Sequence, residues 1–140
     1  MAVYTKLNKE NIDEILTNYP IGQLKEFKGI EDGIENTNYF LLVDDKKYIL
    51  TIYEKRVQEK DLPFFSDLMT GLDKENFKCP VPIKNNNNKT VSSYKNKSLM
   101  IVSFLEGKAK KILSPDNCKS LGQEVARMHL ITKNFKIQRQ

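Results

Sequence analysis

FKGIEDGIENTNYFL, running from Phe27 to Leu41, places Gly29 and Gly33 around a short polar turn and closes on alternating aromatic and aliphatic residues. Glycine lets a backbone approach a phosphate closely, and free N–H groups at such a turn can cradle one. Glu35, Asn36 and Asn38 follow the second glycine as polar candidates beside it. Alone the pattern is weak, because G-x-x-x-G between two strands more often reflects turn chemistry. It is neither a G-x-x-x-x-G-K-[ST] loop nor a dinucleotide fingerprint.

The flanking sequence sets this stretch inside a sheet. Gln23 to Ile30, NYFLLV (Asn38 to Val43) and YILTIY (Tyr48 to Tyr53) are predicted strands, rich in β-branched and aromatic residues. Asp44-Asp45-Lys46-Lys47 is the turn between the last two. Upstream, Asn8 can cap a helix whose apolar face is Ile12, Ile15, Leu16 and Tyr19, with Leu7 stapled to Ile12 and Pro20 as the stop. Downstream, Asp61 is the expected cap of a second helix with Pro63 in its first turn and Phe65, Leu68, Met69 and Leu72 facing inward. Further strands are expected at Val81 and Ile83, Thr90 to Tyr94 and Ser98 to Leu105, with the polar run Lys84 to Lys89 a loop. The LMIVSFL run is apolar enough to be covered on both faces. Ser114-Pro115-Asp116 starts a last helix, with Leu121, Val125, Met128 and His129 along one side. The expected fold is α+β: an antiparallel sheet of about five strands, one helix packed across it, and a helix at each end.

A chain of 140 residues with 23 Lys and Arg against 18 Asp and Glu is one domain's worth of polypeptide with a formal charge of +5. Surface scaling gives about 7,500 Å² folded against about 23,600 Å² unfolded, enough burial for one core without staples. No apolar run approaches a membrane span and no basic-then-apolar leader follows Met1, so a soluble cytoplasmic protein is expected. Cys79 and Cys118 read as reduced, partly buried small hydrophobes rather than a disulfide. A single histidine, His129, cannot build a His-rich metal site, and no nucleophile elbow accompanies it. The lysines alternate with acids except at Lys108, Lys110 and Lys111, which argues for a solvated surface over nucleic-acid binding.

Seven stretches, MAVYTKLN, FKGIEDGIENTNYFL, YILTIYEKR, DLPFFSDLM, CPVPI, IVSFLEGK and LGQEVARMHL, span nearly the whole chain. In this order they resemble the small lobe of the protein-kinase-like phosphotransferases, the aminoglycoside and choline kinase superfamily. FKGIEDGIENTNYFL and DLPFF narrow the resemblance to the bacterial homoserine kinases of that superfamily. The resemblance implies ATP- and Mg²⁺-dependent phosphorylation of the homoserine hydroxyl, a step of threonine biosynthesis. It divides the chain into a nucleotide-binding lobe, 1–107, and a hinge exit with the first helix of a larger lobe, 108–140. It makes Gly29 to Asn38 the phosphate-covering loop and Ser103 to Leu105 the hinge whose backbone reads adenine. Ile101 and Phe104 then wall the purine, although an ordinary buried strand is the plainer reading of Met100 to Leu105.

Two departures shape the expectation. In the wider kinase pattern the third strand offers a lysine to the phosphates, and Thr51 stands at the matching position. Lys28, Lys55 and Arg56 are candidate replacements, each also readable as a surface charge, and the helical acid that would pair such a lysine matches Asp67. The acceptor base and the carboxylates for Mg²⁺ belong to the large lobe, and no loop of that kind follows His129. No catalytic residue or metal ligand is therefore assigned. The chain is expected to be the amino-terminal half of such an enzyme, by truncation, gene splitting or gene decay, and inactive alone. Alternatives are a related phosphotransferase with another hydroxyl acceptor, and a non-catalytic module that self-associates through its exposed inter-lobe surface.

Overall fold

A computed structural model describes residues 3–32, 34–54 and 57–137. Helix α1, Lys9–Leu16, is opened by a reciprocal capping box in which Asn11 N donates to Asn8 Oδ1 at 2.9 Å and Asn8 N to Asn11 Oδ1 at 3.2 Å. Strands β1 (Leu24–Ile30), β2 (Thr37–Val43) and β3 (Lys46–Ile52) follow as an antiparallel meander. Then come a 3-10 turn at Glu59–Asp61, helix α2 (Leu62–Lys74), strands β4 (Val91–Tyr94) and β5 (Lys97–Ser103), and helix α3 (Pro115–Thr132). The five strands form one antiparallel sheet in the order β1-β2-β3-β5-β4.

Successive strand side chains point to opposite faces, and the two faces have different fates here. One face is the core. Tyr39, Leu41 and Val43 of β2, Tyr48, Leu50 and Ile52 of β3 and Leu99 and Ile101 of β5 pack with Ile12, Ile15, Leu16 and Tyr19. Each such side chain contributes about 1.5–3 kcal/mol by leaving water, so this layer fixes the sheet's shape. The segment before α1 lies over the same face. Tyr39 Oη donates to Thr5 O and accepts from Leu7 N, both at 2.8 Å, and the Thr37 Oγ1 accepts from the backbone N–H groups of Tyr4 and Thr5 at 3.0 Å.

Several expectations are corrected. Asp61 stands at the N-cap position of α2 but makes no side-chain cap bond. Its backbone is already helical at the end of the 3-10 turn, and its side chain is buried. Leu62, Ser66 and Leu72 are the buried residues of α2, while Phe65, Leu68 and Met69 are half-buried. Val81 and Ile83 flank a single bridge, Pro82 to Val102, and form no strand, because a proline at its centre cannot donate to a ladder. In α3 the residues Leu121, Val125 and His129 share a side as expected, yet the helix buries none of its residues. It is tied to the turn that follows α2 by Arg127, whose guanidinium donates to Asn76 O at 2.9 Å and lies over the Phe77 ring. Phe135, just beyond α3, crosses α2 at Gly71, where a Cβ would sit 2.7 Å from the ring. Cys79 is half-buried, whereas Cys118 is exposed on α3, and both are free thiols.

Candidate functional site

The face of the sheet opposite α1 is the one with chemistry on it. The strand register sets its side chains in rows, each two residues, or about 7 Å, from the next. Nearest the β1–β2 loop, Ile30, Asn38, Thr51 and Met100 lie side by side across β1, β2, β3 and β5. The next row is Lys28, Phe40, Ile49 and Val102. Phe104, which prolongs β5 through its N–H bond to Lys47 O, sets its ring edge-on to Phe40 with centroids 5.6 Å apart. Phe40, Ile49 and Val102 are half-buried, so this is an apolar shelf with one open side.

Two contacts frame the shelf. At its loop end Thr51 Oγ1 donates to Asn38 Oδ1 at 2.8 Å. At its other end Lys47 Nζ stands 5.7 Å from the centre of the Phe104 ring and pairs with Glu106 at 2.5 Å, gripping the chain as it leaves the sheet. Ser103 N donates to Val81 O and Ser103 Oγ accepts from Val81 N, both at 2.9 Å, which pins the opposite side of this exit. Among the described residues nothing accepts from the Leu105 N–H.

Of the ten residues singled out from the sequence, the nine that are described fall into three groups. Asn38, Thr51 and Phe104 share the open face, and Ser103 and Leu105 bracket Phe104 on the backbone. Asn36 accepts from Glu54 N at 3.3 Å and thereby ties the β1–β2 loop to the end of β3, and Glu35 lies exposed in that loop. Ile101 is elsewhere: it is fully buried in the core beneath α1, so its side chain cannot wall a ligand on the opposite face, and its neighbour Val102 takes that position. The missing side chain of Gly29 likewise points to the core face, opposite Tyr39, where a Cβ would meet Val3 Cγ2 at 3.1 Å. Gly33, Lys55 and Arg56 lie outside the described residues. Lys28 is exposed on the open face, and Asp67 is exposed on α2. Sequence reading did not single out Phe40, Ile49 and Val102, because NYFLLV, YILTIY and LMIVSFL are apolar on both faces and leave the open one unmarked.

A carboxylate with a clear shift lies behind the shelf. Burial raises the Glu54 carboxyl, but hydrogen bonds from Lys97, Thr5 and Thr37 outweigh it and hold the group below its ordinary value. No group of three His, Cys, Asp or Glu side chains able to hold a metal ion occurs among the described residues. No helix is long and apolar enough to cross a membrane among the described residues.

Comparison with known proteins gives a consistent picture. The model of the phosphotransferase enzyme family matches residues 26–139. A homoserine kinase of Methylobacterium radiotolerans is 41% identical over 140 residues, all of this chain and 44% of the relative. A homoserine kinase of Parvibaculum lavamentivorans is 41% identical over 139 residues, 99% of this chain and 43% of the relative. The chain therefore spans less than half the length of the curated relatives it matches. Among solved structures, an amicoumacin kinase in complex with AMP-PNP, Ca²⁺ and Ami superposes with a TM-score of 0.73 at 18% identity, over 95% of this chain and 42% of that one. A microcompartment-associated aminopropanol kinase gives a TM-score of 0.72 at 14% identity, over 94% of this chain and 42% of the other. At those identities the likeness is one of fold.

Proposed function

Because the chain belongs to the phosphotransferase enzyme family, we propose that it is the nucleotide-binding lobe of an ATP-dependent homoserine kinase. The single observation that carries the reading is identity near 40% to homoserine kinases along the whole chain. The open face supports it with suitable chemistry. A purine would lie on the shelf of Phe40, Ile49 and Val102, edged by Phe104, where flat apolar contact and exclusion of water favour an aromatic base. Its hydrogen-bonding edge would meet the backbone of Ser103 to Leu105, with the Leu105 N–H available as donor. The ribose then spans the step of about 7 Å between rows, and the phosphates reach Asn38, Thr51 and the β1–β2 loop.

Transfer of the γ-phosphoryl group to the homoserine hydroxyl also requires a base to receive the hydroxyl proton and carboxylates for Mg²⁺. These groups are absent from the shelf, and the proposal assigns them to the part of the enzyme that the relatives possess beyond the matched 44%. The reading carries with it a place in threonine biosynthesis and in the cytoplasm. It gives this chain the tasks of seating the base and orienting the phosphates, and predicts no homoserine-dependent turnover by these 140 residues alone.

The test is a chimera in which this chain replaces the matching portion of the Methylobacterium radiotolerans homoserine kinase. Homoserine-dependent ADP release is expected from the chimera, together with AMP-PNP binding by the isolated chain in calorimetry. A folded chimera without turnover, or an isolated chain that is itself a competent kinase, would overturn the proposal.

A further inference from the structure

The nucleotide-facing side of β2 and β3 carries a neutral pair where phosphate chemistry usually places a cation. Asn38 and Thr51 are directly opposite in the register, and the Thr51 hydroxyl donates to Asn38 Oδ1 at 2.8 Å. With its carbonyl held in this way, the amide of Asn38 turns both Nδ2 hydrogens away from Thr51, and among the described residues no group accepts from them. Among the described residues Lys28 is the charged side chain on this part of the face, and it belongs to the row of Phe40, one step toward the base. Lys47, further along, is paired with Glu106. Resting on the nucleotide-binding reading above, we propose that the Asn38 amide is the phosphate-side donor of this lobe and that Thr51 is its positioning residue. β3 thus supplies an oriented hydrogen bond instead of a charge. Thr51 is too short to touch phosphate through Asn38, so its contribution is to stop the amide from rotating and offering its carbonyl to an anion.

This arrangement predicts a particular kind of discrimination. A lysine contact to phosphate weakens as salt screens it, whereas a neutral amide donor is nearly indifferent to ionic strength. The affinity ratio of ATP to adenosine should therefore depend on the Thr51 hydroxyl, and the part that the hydroxyl contributes should be nearly independent of salt.

The experiment measures ATP and adenosine binding by the 140-residue chain and by Thr51→Val, Thr51→Ser and Asn38→Asp, with folding checked by thermal unfolding. Thr51→Val should lower the ATP/adenosine ratio about 5- to 10-fold, the loss of one oriented hydrogen bond, with adenosine affinity unchanged. Thr51→Ser should restore the ratio. Asn38→Asp, which keeps shape and replaces donors by an anion, should lower it further and provides the same readout if the valine variant does not fold. An unchanged ratio in the folded variants, or a Thr51→Val effect that disappears with added salt, overturns the inference while leaving nucleotide binding intact. A parent chain that binds neither ligand overturns the nucleotide-binding reading itself, and this inference with it.

Discussion

Gly29 shows how one residue can have a role other than the one its motif suggests. In a glycine-bearing turn beside a phosphate the missing side chain leaves room for the ligand. Here the room is already taken: a Cβ at Gly29 would lie 3.1 Å from Val3 Cγ2 and 3.6 Å from the Tyr39 ring. Val3 belongs to the segment that crosses the core face, so the glycine lets that segment lie flat on β1. Gly29→Ala should accordingly cost about 1 kcal/mol, and Val3→Ala should relieve part of it, with a coupling of at least about 0.5 kcal/mol in a double-mutant cycle. Independent effects in urea unfolding would show that the glycine serves something other than this contact.

Among the elements, the strip before α1 is held by a polar cluster at the end of the sheet. Thr5 and Thr37 hydroxyls donate to Glu54 Oε1 at 2.6 and 2.8 Å, and Lys97 Nζ donates to Glu54 Oε2 at 2.5 Å. The Glu54 side chain is 12% exposed and that of Lys97 40%, so the pair is partly screened and its loss in Lys97→Met is worth about 1 kcal/mol. The carboxyl of Glu54 titrates lower in the fold than in the unfolded chain. Its stabilisation is therefore complete above the unfolded value, about pH 4.3, and disappears as pH falls through the lower folded value. The protein should lose stability over that acid window, and Glu54→Gln should flatten this part of the profile in pH-dependent unfolding. An unaltered profile in the variant would assign the acid response to other carboxylates.

At the scale of the whole molecule the decisive quantity is surface. The chain exposes 10,070 Å², about a third more than the ~7,500 Å² expected of a closed protein of this mass. Several of its large apolar side chains are in water. Ile112 is 88% exposed, Leu130 72% and Leu121 60%, along the linker and α3. Apolar surface left in water favours association, while the net charge of +5 opposes it. The isolated chain should therefore associate with rising concentration, and more strongly in high salt, as followed by light scattering after size exclusion. Leu121→Glu with Leu130→Glu should return it to a monomer. A parent chain that stays monomeric at high concentration and high salt would show that this surface is tolerated in water.

The antiparallel meander and the helix caps at Asn8 and Ser114 were legible in the residues themselves, because capping, turn chemistry and apolar periodicity are local, whereas the family was legible only through a resemblance of whole stretches. The site was legible only in part. Asn38, Thr51 and Phe104 could be singled out, yet LMIVSFL is apolar on both faces and gives no sign of which side meets α1. The resemblance placed Ile101 at the purine, and the residues by themselves could not correct it or point to Phe40, Ile49 and Val102. A strand's period of two says that two faces exist, but only the packing of α1 and its preceding segment decides which one is filled. The covered face became the core, and the residues left on the other became the shelf.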